Sequence, residues 1–219
     1  MPLPPAAVLF DLDGTLLDSE PLHHASTNVV LAEYGHNLSK ADFRPFIGSG
    51  EVAYWSALRE RFALEMSVRE LIERRNDAYV ALMESAHLEP LPGVHEVLDH
   101  LSDRGIPFAV VSAAPRRQVD AGLLCAGLAA RIALRLSGED DVPRSKPHPD
   151  AYLAAAAALA VRPEQCIAVE DSATGIASAR AAGTFVVGIT VDPHPQPDPD
   201  RAHMRLASLH EFHARLRGA

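Results

Sequence analysis

The stretch Phe10-Asp11-Leu12-Asp13-Gly14-Thr15 decides the reading of this chain. It follows Ala6-Ala7-Val8-Leu9, an apolar run too short for a helix and stopped at Gly14, so the run reads as a short buried strand. Side chains alternate along an extended chain, which sends Asp11 and Asp13 to the same side where the strand ends. Two carboxylates held that close repel each other, and a proton or a cation must offset them. A hard divalent cation does so, and Mg²⁺ suits one or two carboxylates together with a phosphate. An EF-hand loop starting at Asp11 requires Gly at its sixth position and an acid at its twelfth. Leu16 and Leu22 stand there, so that reading fails.

The 219 residues allow one large domain or a domain with a smaller companion. A content of 47% hydrophobic and 22% charged residues is that of a globular protein. The net charge of −9 argues against nucleic acid as a partner, because phosphate-backbone binding needs a basic face. A phosphorylated ligand would need local cations, from a metal or from a few placed Lys and Arg. Met1-Pro2-Leu3-Pro4-Pro5 has no leader pattern, and no window approaches the ~18 apolar residues of a membrane span. Cys125 and Cys166 lie far apart without metal-ligand spacing and read as small core residues. The expectation is a reduced, cytoplasmic protein without membrane partners.

Downstream of the opening strand the spacing predicts helices. Asp18 or Ser19 starts the first, with Pro21 in its first turn and Leu22, Ala25, Val29 and Ala32 at helical spacing. Ser39-x-x-Asp42 opens a short helix broken at Pro45, Ile47 to Gly50 is a loop, and another helix runs from Glu51 to Phe62. Ser67-x-x-Glu70 is a capping box ahead of a helix striped by Leu71, Ile72, Tyr79, Leu82 and Met83. The texture changes at Leu91-Pro92-Gly93. From there strands at 107–111, 132–134, 166–169 and 185–189 alternate with helices ending near 104, 124, 160 and 182. Pro193 to Pro199 is a Pro-rich loop, and Ser208 to Arg217 is a last helix. Alternation of this kind implies an α/β fold, a Rossmann-like parallel sheet with helices on both faces. The helical block interrupts it after the first strand. The expected division is an α/β core of residues 1–18 and 89–219 and a helical domain of residues 19–88, with hinge crossings near Leu16-Leu17-Asp18 and Glu89-Pro90.

In an open α/β sheet, ligands bind beyond the carboxyl ends of the strands. Asp11 and Asp13 follow the first strand, Ser112 the second, and Glu170 and Asp171 the fourth, while Lys146 stands in the loop after the third. A carboxylate can attack phosphorus and form an acyl phosphate, which splits one hard step into two, and Asp11 is the candidate nucleophile. Asp11, Glu170 and Asp171 are the candidate carboxylate ligands of Mg²⁺. Asp13 can protonate a leaving alkoxide and then take a proton from water. The Ser112 hydroxyl and the backbone N–H groups beside it, that of Ala113 among them, can bond phosphoryl oxygens, and Lys146 offsets the crowded charge.

Asp11-Leu12-Asp13-Gly14-Thr15, then Ser112, then Lys146-Pro147, then Glu170-Asp171-Ser172-x-x-Gly175 resembles the four ordered motifs of the haloacid dehalogenase-like hydrolases. The resemblance spans nearly the whole chain. The inserted helices look like that family's small α-helical cap, and the branch is similar to the β-phosphoglucomutase-like phosphatases. It implies the roles given above, with the backbone carbonyl of Asp13 also on Mg²⁺, and a small phosphorylated metabolite as partner. Dehalogenases of the superfamily keep the nucleophile but not the second Asp and need no metal, so Asp13 with Glu170-Asp171 speaks against dehalogenation. A phospho-acceptor signalling domain combines similar groups, but its acid pair and its acceptor lie on different strands, and it needs only ~120 residues.

Substrate choice is expected in the helical insert. His23 and Arg75 are its candidate substrate residues, with His24 and Arg74 as their neighbours. His23 matches the hinge His of β-phosphoglucomutase, and Arg75-Asn76-Asp77 stands where that mutase has Lys in place of Arg. Glu51 stands where the mutase has a phosphate-binding Arg, and a carboxylate there repels a distal phosphate. The reading is therefore a phosphatase for a small phosphomonoester of the sugar-phosphate kind, with a sugar phosphomutase as the alternative.

Overall fold

The computed structural model describes residues 1–2, 4–46, 50–190 and 202–218. Contacts divide the chain into two compact units, Met1–Asp18 with Leu88–Ala219, and Ser19–His87.

The first unit is built on a parallel sheet. Its strands are β1 (Ala7–Phe10), β2 (Phe108–Ser112), β3 (Arg135–Ser137), β4 (Cys166–Glu170), β5 (Phe185–Ile189) and β6 (Met204–Leu206), in the spatial order β3-β2-β1-β4-β5-β6. Phe10 is level with Val110 on one side and Val169 on the other, so β1 sits centrally between β2 and β4. A parallel sheet covered on both faces requires apolar residues at every position of its central strands, and β1 is buried throughout. Val8 and Phe10 pack on one face with α5 (Val94–Asp103), α6 (Arg116–Cys125) and α9 (Leu209–Arg217). Ala7 and Leu9 pack on the other with α7 (Asp150–Ala158) and α8 (Ala173–Ala181). The second face is rich in alanine, Ala151, Ala155, Ala156 and Ala179 among them, which lets those helices lie close to the strands.

Two strand expectations are corrected. The third strand is Arg135–Ser137, not Ile132-Ala133-Leu134. Ile132 closes a helical turn onto the Leu128 carbonyl and is buried from there, so its apolar character marks core and not ladder. β6 was not anticipated, because a three-residue strand with Arg205 at its centre carries no periodic signal. The Pro-rich expectation at Pro193 to Pro199 and most of the Ile47 to Gly50 loop lie outside the described residues. No helix among the described residues is long and apolar enough to cross a membrane.

The second unit is helical: α1 (Glu20–Ala32), α2 (Lys40–Phe43) with a 3₁₀ turn at Arg44–Phe46, α3 (Glu51–Arg61) and α4 (Val68–Ser85). Ser67 and Glu70 cap α4 reciprocally, as their spacing predicts. Trp55, Leu58, Leu31, Leu38 and Leu71 form the unit's core. Asn28 ties the loop after α1 back onto the helix, accepting from the Leu38 N–H at 2.7 Å and donating to the Leu38 carbonyl at 3.0 Å.

Candidate active site

The site lies at the carboxyl ends of the strands. The Asp11 N–H donates to the Val169 carbonyl at 2.9 Å, and the chain then turns out of the sheet. Leu12 closes that turn by accepting from the Leu16 and Leu17 N–H groups. Gly14 stands in the turn at φ +79, and a Cβ there would lie 2.1 Å from Asp171 Oδ2, so only glycine fits. The two chain crossings run side by side: Leu17 bridges Pro90, and the Leu91 N–H donates to the Leu16 carbonyl at 2.8 Å.

Four of the expected residues meet in one buried cluster. Lys146 Nζ donates to Asp11 Oδ1 and to Glu170 Oε1, each at 2.5 Å. Asp11, Glu170 and Asp171 each bring a carboxylate oxygen within 4.8 Å of the others, a set able to hold a metal ion. Lys146 reaches the cluster because its loop is stitched to the end of β2. The Gly138 N–H donates to the Ser112 carbonyl at 2.8 Å, the Arg116 N–H to Asp140 Oδ2 at 2.6 Å, and the Ser137 N–H to Asp141 Oδ2 at 2.7 Å.

The electrostatics follow from crowding. Burial pushes the Asp11 carboxyl upward; the Lys146 ammonium pulls it down, and Glu170, Asp171 and Asp13 add to the rise. Burial and the Glu170 charge push Asp171 up to about 8. Burial opposes the charge on Lys146, but Asp11 and Glu170 outweigh it and hold the ammonium above its usual range. The lysine therefore stays charged, and the crowding of the acids shows as a raised affinity of Asp11 and Asp171 for protons.

Asp13 is half-buried, and its charge acts on both Asp11 and Asp171. Ser112 is buried at the end of β2; its Oγ accepts from the Ala114 N–H at 3.1 Å, which leaves its own proton to donate. Ala113 beside it is exposed. His23 and Arg75 come together within the helical unit. Arg75 donates to His23 Nδ1 and pairs with Glu51 Oε1 at 2.9 Å, while the His23 ring stacks on Tyr79. His24 instead hydrogen-bonds the Leu38 carbonyl at 2.7 Å, and Arg74 pairs with Glu33 at the surface.

Sequence reasoning missed Tyr152. Its phenol donates to Glu170 Oε1 at 2.6 Å, and the Lys146 ammonium stands over its ring. The available signal was that Tyr152 is the one aromatic in the Ala-rich run Pro149 to Ala160.

The model of the haloacid dehalogenase-like hydrolases matches residues 5–183. The chain belongs to that family. It is 34% identical over 190 residues to the protein CbbY of Rhodobacter capsulatus, covering 83% of each chain. It is 32% identical over 205 residues to hexitol phosphatase A of Escherichia coli, covering 93% of this chain and 91% of the relative. The crystal structure of a putative β-phosphoglucomutase from Thermotoga maritima superposes with a TM-score of 0.80 at 26% identity, covering 97% and 99% of the two chains. The expectations of an α/β Rossmann-like fold and of an enzyme of this hydrolase family are met, and phosphatases stand among its relatives.

Proposed function

We propose that the protein is a Mg²⁺-dependent phosphomonoester hydrolase that acts on a small phosphorylated metabolite of the sugar-phosphate kind through an aspartyl phosphate on Asp11. The observation that carries this reading is the Asp11 carboxylate bonded to Lys146 inside a set of three acids, Asp11 and Glu170 buried and Asp171 half-buried. The acid set fits a hard divalent cation: its donors are oxygens, and the upward push on Asp171 is the strain that such a cation relieves. Asp11, Glu170 and Asp171 would hold Mg²⁺ by their carboxylates and Asp13 by its main-chain carbonyl. When bound, the ion neutralises charge on the phosphoryl oxygens.

Lys146 holds Asp11 Oδ1 and leaves Oδ2 to attack phosphorus. As that bond forms, the bond from phosphorus to the leaving alkoxide breaks, and Asp13 gives the alkoxide its proton. Water then attacks the aspartyl phosphate and passes a proton to the Asp13 carboxylate. The bond from phosphorus to Asp11 breaks, inorganic phosphate leaves, and Asp11 returns as a carboxylate. The Ser112 hydroxyl and the Ala113 N–H donate to phosphoryl oxygens throughout.

The helical unit acts as the cap that chooses the substrate, with His23 and Arg75 as its recognition residues. One observation bears on the alternative mutase reading. Arg75 is paired with Glu51, so the unit offers an ion pair there and not a lone cation for the second phosphate of a sugar bisphosphate. The hexitol phosphatase relative supports the same choice. A single experiment tests both readings. Supplied with β-glucose 1-phosphate and a bisphosphate primer, the enzyme is expected to release inorganic phosphate with Mg²⁺, to be silent in excess EDTA, and to be silent as Asp11→Asn. Phosphate release in metal-free EDTA removes the Mg²⁺ reading, and a normal kcat for Asp11→Asn removes the nucleophile. Glucose 6-phosphate formed much faster than phosphate makes the protein a mutase.

A further inference from the structure

The hydroxyl of Tyr152 is a feature that the reaction above does not use. The residue is fully buried, on the sheet face packed with alanines, and its ring fills that core beside Ala151 and Ala155. A phenylalanine would fill the same volume. A buried hydroxyl is costly unless it finds a partner, so the position requires an account of the oxygen and not of the ring.

The partner is Glu170. Its Oε1 receives two donors, Lys146 Nζ at 2.5 Å and the Tyr152 phenol at 2.6 Å, while among the described residues its Oε2 receives only the Ser172 hydroxyl at 3.2 Å. Two donors on one oxygen fix the plane of the carboxylate, and the more weakly held oxygen is the one left for a further ligand. The same bond weakens the competition for the lysine. Lys146 stands equally close to Asp11 and Glu170, so a Glu170 without a second donor draws the ammonium away from Asp11. We propose that Tyr152 is a positioning residue, whose phenol bond to Glu170 Oε1 aims Glu170 Oε2 at the metal position and keeps Lys146 on Asp11. This inference rests on the Mg²⁺-dependent reading of the site. Outer groups that orient metal ligands commonly change metal affinity or activity by about 10–100-fold when removed.

The test is Tyr152→Phe, which keeps the ring and deletes one oxygen. Mg²⁺ affinity is measured by calorimetry on the intact chain without substrate, and kcat and KM at saturating Mg²⁺. The expected result is Mg²⁺ binding weakened roughly tenfold, kcat lowered by a similar factor and KM little changed, with the melting temperature within a few degrees of wild type. In a Glu170→Gln background the same substitution is expected to add nothing further, because the group it orients has been altered. If Tyr152→Phe binds Mg²⁺ and turns over like wild type while only the melting temperature falls, Tyr152 is a core residue and the proposal is wrong. Independent, additive effects of the two substitutions overturn it as well. Wild-type protein that binds no Mg²⁺ overturns the phosphatase reading and this inference with it, whereas binding unaltered by Tyr152→Phe overturns this inference alone.

Discussion

Glu170 is held from three sides, by Lys146, Tyr152 and Ser172, and a fourth neighbour keeps it there by having no side chain. A Cβ on Gly175 would sit 2.0 Å from the carboxyl carbon and both oxygens of Glu170. Gly175 is in the first turn of α8, where the Ser172 hydroxyl caps its N–H at 3.0 Å. An alanine in a helix is ordinarily better than glycine by about 1 kcal/mol. Gly175→Ala is therefore expected to leave the helix intact but force Glu170 out of its place. Phosphate release should fall at least tenfold, by the same outer-shell argument, with little change in melting temperature. Wild-type turnover in that variant would show that Glu170 tolerates displacement. The acids themselves were legible in the sequence, because each directly follows an apolar strand run. The tyrosine was not, since an aromatic in a helix reads as core and only the fold reveals what its oxygen touches.

At the scale of elements, legibility followed length and burial. β1, β2, β4 and β5 are apolar runs, broken only by the polar Ser112 and Glu170 at the carboxyl ends of β2 and β4, and they were readable because parallel strands covered on both faces are apolar through the core. β3 and β6 are three residues each at the two edges of the sheet, where one partner strand suffices and polar residues such as Arg135 and Arg205 are tolerated. The starts of α2 and α4 were readable from capping chemistry, whereas Ser19 ahead of α1 makes no side-chain cap bond. Ser67 accepts from the Glu70 N–H at 3.3 Å, and Glu70 accepts from the Ser67 N–H at 2.9 Å. The Ser67 hydroxyl, donating to Glu70 Oε2 at 2.6 Å, and then the Ser67 N–H hold the Glu70 carboxyl below its usual range. α4 also carries Arg75, which hydrogen-bonds His23, and Tyr79, which stacks on it, so its first turn fixes the register of that cluster. Ser67→Ala is expected to cost about 1 kcal/mol, read as a lower urea midpoint at unchanged slope. An unchanged midpoint would mean that Glu70 or water replaces the lost cap.

At the scale of the whole molecule, the acid cluster sets how stability responds to pH and to metal. Burial and then Glu170 push Asp171 from 3.8 to about 8, and burial first of all moves Asp11 in the same direction. Such groups hold a proton in the folded chain that the unfolded chain releases above about pH 4, so their stabilisation is full below that pH and is lost as pH rises through 8. Asp42, Glu70 and Asp150 act oppositely: hydrogen bonds from Ser39, Ser67 and Arg144 lower them, so their contribution is lost as pH falls. They are solvent-exposed pairs and weigh less. In EDTA the melting temperature is therefore expected to fall from pH 5 to pH 8. Mg²⁺ competes with protons for the same oxygens, so its stabilisation should be larger at pH 8, reaching about 2.7 kcal/mol at a hundredfold excess over Kd. Asp171→Asn removes the crowded charge. Its metal-free melting temperature at pH 8 should exceed that of wild type, and its response to Mg²⁺ should largely vanish. Melting curves in EDTA and in Mg²⁺ across pH 5 to 8.5 decide the matter. A metal-free melting temperature that rises toward pH 8 and ignores Mg²⁺ would show that the acid set is neither strained nor relieved by the ion.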